Sequence, residues 1–77
     1  MRGLLVDDDE TYTRVLRNSL LRQGLEIEVA HDGPSALALA ERAPFDFALV
    51  DLKLGEQSGL DLIAPLRARR AAMQIVL

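Results

Sequence analysis

The chain has 77 residues, a formal net charge of −3 and no cysteine, which bounds it to one small domain and excludes a disulfide framework or a thiolate-bound metal. Hydrophobic residues make up 49% but aromatics only 4%, so the core must be aliphatic, with Phe45 and Phe47 as its large members, a composition that suits an α/β domain. No apolar run approaches the roughly 20 residues that cross a bilayer, no secretory pattern opens the chain, and the acidic balance argues against non-specific nucleic-acid binding; a soluble cytoplasmic protein without membrane contact is expected.

Leu4-Leu5-Val6 is a continuous apolar run that predicts a strand buried on both faces, and it stops abruptly at Asp7. From Glu10 to Gln23 the residues Tyr12, Val15, Leu16, Ser19 and Leu20 recur at helical spacing, with Arg14, Arg17 and Arg22 on the polar face and Gly24 as a stop. Glu26 to Val29 alternates polar and apolar, which predicts a strand with one exposed face near a sheet edge. His31-Asp32-Gly33-Pro34 reads as a turn with Pro34 at the first helical position, and Ser35 to Arg42 as a short helix ended by Pro44.

Phe45 to Val50 predicts the next buried strand, interrupted only by Asp46 and again ending at an aspartate, Asp51. Gly55 and Gly59 punctuate a loop, Ser58 is a candidate N-cap, and a helix is expected from about Gly59 to Arg70, with Pro65 in its interior as a kink. Gln74 to Leu77 begins a last apolar strand. The order βαβαβαβ, with crossovers long enough for parallel pairing, predicts a doubly wound parallel sheet.

In such sheets ligands bind outside the carboxyl ends of the strands, at the point where strand order reverses. Asp7, Asp8 and Asp51 all follow predicted buried strands, so neighbouring strands would bring their carboxylates together. Like charges that close need neutralising. With no His or Cys beside them they favour a hard divalent cation, best matched by Mg²⁺, and an aspartate beside such an ion could also form an acyl phosphate. The residues permit that chemistry; spacing alone does not decide it. Taken alone, LLVDDDE is explained equally well by capping of the helix that follows, in which Asp8 or Asp9 would serve. An EF-hand fails, because Tyr12 replaces the sharp-turn glycine and Asn18 the bidentate glutamate.

LLVDDDE with its acidic pair, ALVDLKL with its single aspartate, SGLDLI with Gly59 eight positions further on, and HDGPSALALA between them resemble the receiver domains of two-component response regulators, over essentially the whole chain. The DLKL-x-x-x-SGLDLI pattern points to the redox-responding RegA/PrrA-type subgroup. The resemblance implies a flavodoxin-like receiver fold in which Asp51 is the phosphoacceptor for a sensor histidine kinase. It also implies a Mg²⁺ ion held directly by Asp8, through water or by orientation by Asp7, and with Asp51 and the backbone carbonyl of Lys53 among its ligands. Asp9 would serve the helix. Such a module is not a conventional turnover enzyme; when complete it assists its own phosphorylation and dephosphorylation, and the arginines of the first helix would meet the kinase.

Two departures accompany the match. Gly55 stands where many receivers have proline, a change expected to loosen the loop. Full receivers run to about 120 residues and five strands, with a Ser or Thr after strand four and a Lys after strand five. Residues 1–77 would then be the N-terminal part of a receiver, incomplete and without the output domain that could bind DNA, and Lys53, the only lysine, is poorly placed to substitute. The alternative is a non-phosphorylated fragment that keeps the acidic pocket and self-associates or swaps through an exposed strand edge. His31 is expected to be solvated or capping, and Arg67 to Arg70 to complement a helix dipole.

Overall fold

A computed structural model describes all residues from Met1 to Leu77. Four parallel strands form one sheet: β1 (Arg2–Val6), β2 (Glu26–Ala30), β3 (Phe47–Val50) and β6 (Gln74–Val76), in the spatial order β2-β1-β3-β6. A two-stranded antiparallel hairpin, β4 (Lys53–Leu54) and β5 (Gln57–Ser58), lies between β3 and the following helix. The expected doubly wound α/β arrangement is therefore present. The alternating segment 26–29 becomes β2, which pairs only with β1 and so is an edge.

β1 is central, and Leu4, Leu5 and Val6 are buried, as a strand covered on both faces requires. Alternation along the strands divides their side chains between two layers. Leu4, Val6, Ala48 and Val50 join Ala36 and Ala40 of α2 (Gly33–Arg42) and Leu66 of α3 (Ile63–Arg69) in one apolar cluster that also holds Phe45, Leu54, Leu62 and Met73. On the opposite face α1 (Glu10–Arg22) packs chiefly over β2. Farther along that face Leu5, Leu16, Leu49, Val76 and Leu77 line an open apolar groove.

Several boundaries differ from the sequence reading, each for a local reason. The apolar stripe assigned to α1 is only partly used: Tyr12 and Val15 are exposed, Leu16 and Leu20 are half-buried, and Thr13 is the buried residue. The helix covers β2 and leaves the groove beside β3 and β6 open. Asp32 caps α2, because its carboxylate accepts the Ser35 N–H at 2.8 Å; the helix starts at Gly33, and Pro34 falls at the second position, not the first. β3 starts at Phe47, with Phe45 buried ahead of the strand.

The single kinked helix expected over 59–70 is two pieces, a 3₁₀ turn at Gly59–Leu62 and then α3. This division puts Pro65 in the first turn of α3, where backbone N–H groups have no helical acceptor, so the proline removes no bond. Ser58 caps the 3₁₀ turn as expected, its Oγ accepting the Leu60 N–H at 3.2 Å.

Candidate functional site

The register of the sheet decides where the aspartates go. Val6 lies opposite Val50 in the β1–β3 pair and opposite Ala30 in the β1–β2 pair, so β1 and β3 end level. Asp7 and Asp51 extend the ladder by one step each: the Asp51 N–H donates to the Val6 carbonyl at 2.9 Å and the Asp7 N–H to the Ala30 carbonyl at 3.1 Å. The chain runs from β1 to β2 on one side and returns past β1 to β3 on the other, which places the reversal of strand order between β1 and β3. At that reversal one carboxylate oxygen from each of Asp7, Asp8 and Asp51 lies within 4.8 Å of the other two.

The three carboxylates are not held alike. Asp7 is half-buried, and its Oδ1 accepts the Asp9 N–H at 2.9 Å. Burial pushes its carboxyl above the ordinary value, the Asp9 N–H opposes that shift, and the nearby charges of Asp51, Asp8 and Asp9 add to it. Asp8 is exposed, and its Oδ2 accepts the Gly55 N–H at 2.9 Å. Asp51 is half-buried and accepts no protein hydrogen bond on its side chain, yet no buried side-chain oxygen in the molecule lacks a partner. Its oxygens are therefore open to solvent.

The neighbouring acidic residue serves the helix. Asp9 Oδ1 accepts the Tyr12 N–H at 2.9 Å, so Asp9 is the N-cap of α1. Asp8 does not cap. His31 Nδ1 lies 2.9 Å from the backbone carbonyl of Asp7, which fastens the end of β2 to the β1–α1 turn and keeps the imidazole out of the carboxylate cluster. His31 is exposed and makes this one contact, in keeping with the solvated or capping role expected of it.

The hairpin supplies the opposite wall. Leu54 and Gln57 flank the two-residue turn Gly55-Glu56, and Gly55 has φ +58°. The Gly59 N–H donates to the Leu52 carbonyl at 2.7 Å, one step beyond the Lys53–Ser58 pair. Alternation of the antiparallel ladder then makes Lys53–Ser58 the pair without mutual hydrogen bonds, so the Lys53 carbonyl is not spent on β5. Its side chain is exposed. The Gly55 N–H, which a proline would lack, ties the hairpin to Asp8.

An all-oxygen set with no nitrogen or sulfur donor suits a hard divalent cation such as Mg²⁺. The structure brings together Asp7, Asp8 and Asp51, which the sequence singled out, and adds the Gly55 amide, which it did not.

The model of the response regulator receiver domain matches residues 4–77. The chain belongs to that family. Among curated relatives, this receiver is 40% identical over 76 residues to the alginate biosynthesis transcriptional regulatory protein AlgB of Pseudomonas aeruginosa, covering 99% of this chain and 17% of that protein. It is 38% identical over 73 residues to the photosynthetic apparatus regulatory protein RegA of Cereibacter sphaeroides, covering 95% of this chain and 40% of that one. RegA is the type to which the DLKL-x-x-x-SGLDLI pattern pointed, and AlgB matches beside it. The receiver thus spans well under half the length of these relatives.

Among solved structures, a response regulator from Burkholderia pseudomallei with a phosphorylated aspartic acid, a calcium ion and citrate superimposes with TM-score 0.91 at 40% identity, over 96% of this receiver and 44% of that chain. TrrA of Thermotoga maritima in complex with Mg²⁺-BeF gives TM-score 0.88 at 29% identity, over 99% of the receiver and 66% of that chain. The complex of histidine kinase ThkA with TrrA gives 0.86 at 28%, over 96% and 64%. The flavodoxin-like receiver fold is that of these proteins.

Proposed function

We propose that this receiver is the phosphoacceptor part of a two-component response regulator, with Asp51 taking a phosphoryl group from a phosphohistidine of a sensor histidine kinase. The observation that carries the reading is the unequal holding of three converging carboxylates: Asp7 and Asp8 each accept a backbone N–H, and Asp51 accepts none. Asp51 keeps its lone pairs for attack, and carboxylates form acyl phosphates in phosphoryl-transfer chemistry. One Asp51 oxygen bonds to phosphorus as the P–N bond of the phosphohistidine breaks; the imidazole nitrogen keeps the bonding pair and takes a proton from solvent.

Asp8 and Asp51 would hold Mg²⁺ directly, Asp7 through water or by orienting the ion, and the Lys53 backbone carbonyl would add an oxygen. Bound there, the ion supplies positive charge against the acidic cluster and the transferring group. A complete receiver would assist its own phosphorylation and dephosphorylation without turning over a substrate as a conventional enzyme does. Arg14 and Arg22 are exposed on α1 and are the residues offered to the kinase, whereas Arg17 Nε donates to the Ile27 carbonyl at 2.9 Å. The encounter with the kinase would take place in the cytoplasm. DNA contact would belong to an output domain outside these residues, given their net charge of −3.

The test is the intact mass after incubation with acetyl phosphate and Mg²⁺, beside the Asp51→Asn variant. One phosphoryl group added in wild type, and absent from the variant or when Mg²⁺ is chelated, is the expected result. A folded sample that gains no mass, or an addition that survives Asp51→Asn, overturns it.

A second reading, self-association with another copy of this chain through the open edge of β6, has its own observation. β6 pairs only with β3, Val76 and Leu77 are about half exposed, and unpaired strand edges template further strands.

A further inference from the structure

The Gly55 N–H is not needed by its own turn. The hairpin's ladder bonds belong to Leu54 and Gln57, and the acceptor of the Gly55 N–H is Asp8 Oδ2, 47 positions earlier in the chain. Asp8 is exposed, and the Gly55 N–H is the one hydrogen bond its side chain makes; a free aspartate would sample several rotamers. A charge-assisted bond to Oδ2 restrains that carboxylate, one oxygen of which lies within 4.8 Å of an oxygen of Asp7 and of Asp51.

We infer that Gly55 is a positioning residue, whose amide holds the Asp8 carboxylate in the orientation in which it joins Asp7 and Asp51 around a divalent cation. This rests on the reading of those three aspartates as the cation site. Two properties of glycine are needed at once. The amide proton makes the bond, and φ +58° brings that proton over Asp8, since L-residues other than glycine and asparagine rarely take the left-handed region. Proline has neither property, so a receiver with proline here must orient its aspartate by other means.

The test is a Mg²⁺ titration of the 77-residue chain, followed by the backbone amide shifts of Asp7, Asp8 and Asp9. Wild type is compared with Gly55→Pro, with Gly55→Asn, and with a chemically synthesised chain in which N-methylglycine replaces Gly55. The last removes only the proton and keeps freedom at φ, so it answers the question should the proline variant fail to fold. Loss of an outer-shell partner weakens metal binding by about tenfold or more, and that loss is expected for the proline and N-methylglycine chains. Gly55→Asn retains both the proton and access to positive φ and should restore affinity, which a role limited to hairpin shape or bulk would not produce. Wild-type affinity in the N-methylglycine chain, tighter binding there, or failure of Gly55→Asn to rescue overturns the inference while leaving the cation site standing. Absence of any saturable shift in wild type removes the cation site itself, and the inference with it.

Discussion

Asp7 is the residue in which the cost of the site is concentrated. Its carboxyl is raised above the usual carboxylate value, first by burial and then by the charges of Asp51, Asp8 and Asp9. The folded chain therefore holds that proton more tightly than the unfolded chain, so ionised Asp7 is a liability at neutral pH that is relieved as pH falls through the raised value. Asp7→Asn keeps an oxygen for the Asp9 N–H while removing the charge. In chelator-containing buffer at pH 7 it should raise the melting midpoint, by about 1 kcal/mol in stability from a single near-neighbour repulsion in a water-like dielectric. Circular dichroism melts at several pH values check this, and the advantage should vanish below the ordinary aspartate range. Saturating Mg²⁺ should reverse the ranking, because only wild type keeps all three charges for the ion. Asp32 runs the other way: the Ser35 backbone N–H, then the Ser35 hydroxyl, hold its carboxyl below the usual value. Its stabilisation of α2 is present above the ordinary pKa and lost as pH falls through the lowered one, so Asp32→Ala should lower the midpoint at pH 7 and leave it unchanged in strong acid.

At the scale of elements, the joint between the hairpin and the 3₁₀ turn presses on the end of β3. A methyl group on Gly59 would overlap the Asp51 carbonyl oxygen, while the Gly59 N–H holds the Leu52 carbonyl. Gly59→Ala should cost about 1–3 kcal/mol by overpacking, read in thermal melts, and should move the amide resonances of Asp51 and Leu52 more than those of β2. The strand-end aspartates were legible in the sequence because apolar runs stop at them, and the helices because apolar spacing and stop residues mark them. The hairpin was not legible, since two-residue strands are too short to show alternation and LKLGEQS reads as a loop with one glycine. The Asp8–Gly55 bond was still less so: nothing in either segment marks a partner 47 residues away. Pro65 misled for a related reason, because a proline inside an apolar pattern signals a kink, whereas the turn before it changes type and leaves the proline at a helix start.

For the molecule as a whole, the main apolar cluster fills one side of the sheet only. The other side is covered by α1 over β2 and open over β3 and β6, where Leu49 and Val76 meet solvent along the groove. If the open edge of β6 recruits another copy, sedimentation equilibrium should give an average mass that rises with concentration, and Val76→Lys should hold the chain monomeric, because a charged edge residue opposes strand addition. A concentration-independent monomer in wild type would remove the self-association reading and leave the phosphoacceptor reading untouched.

The same groove reaches Asp7 and Asp51 at its upper end. Any chain segment that seats in it dries one side of both carboxylates, and unneutralised charge grows more costly as water leaves. A cation between them removes that cost. Were a segment to fill the groove and a cation the cluster, each would strengthen the other by an equal factor, and filling of the groove would then report whether the acidic cluster is charged or neutralised.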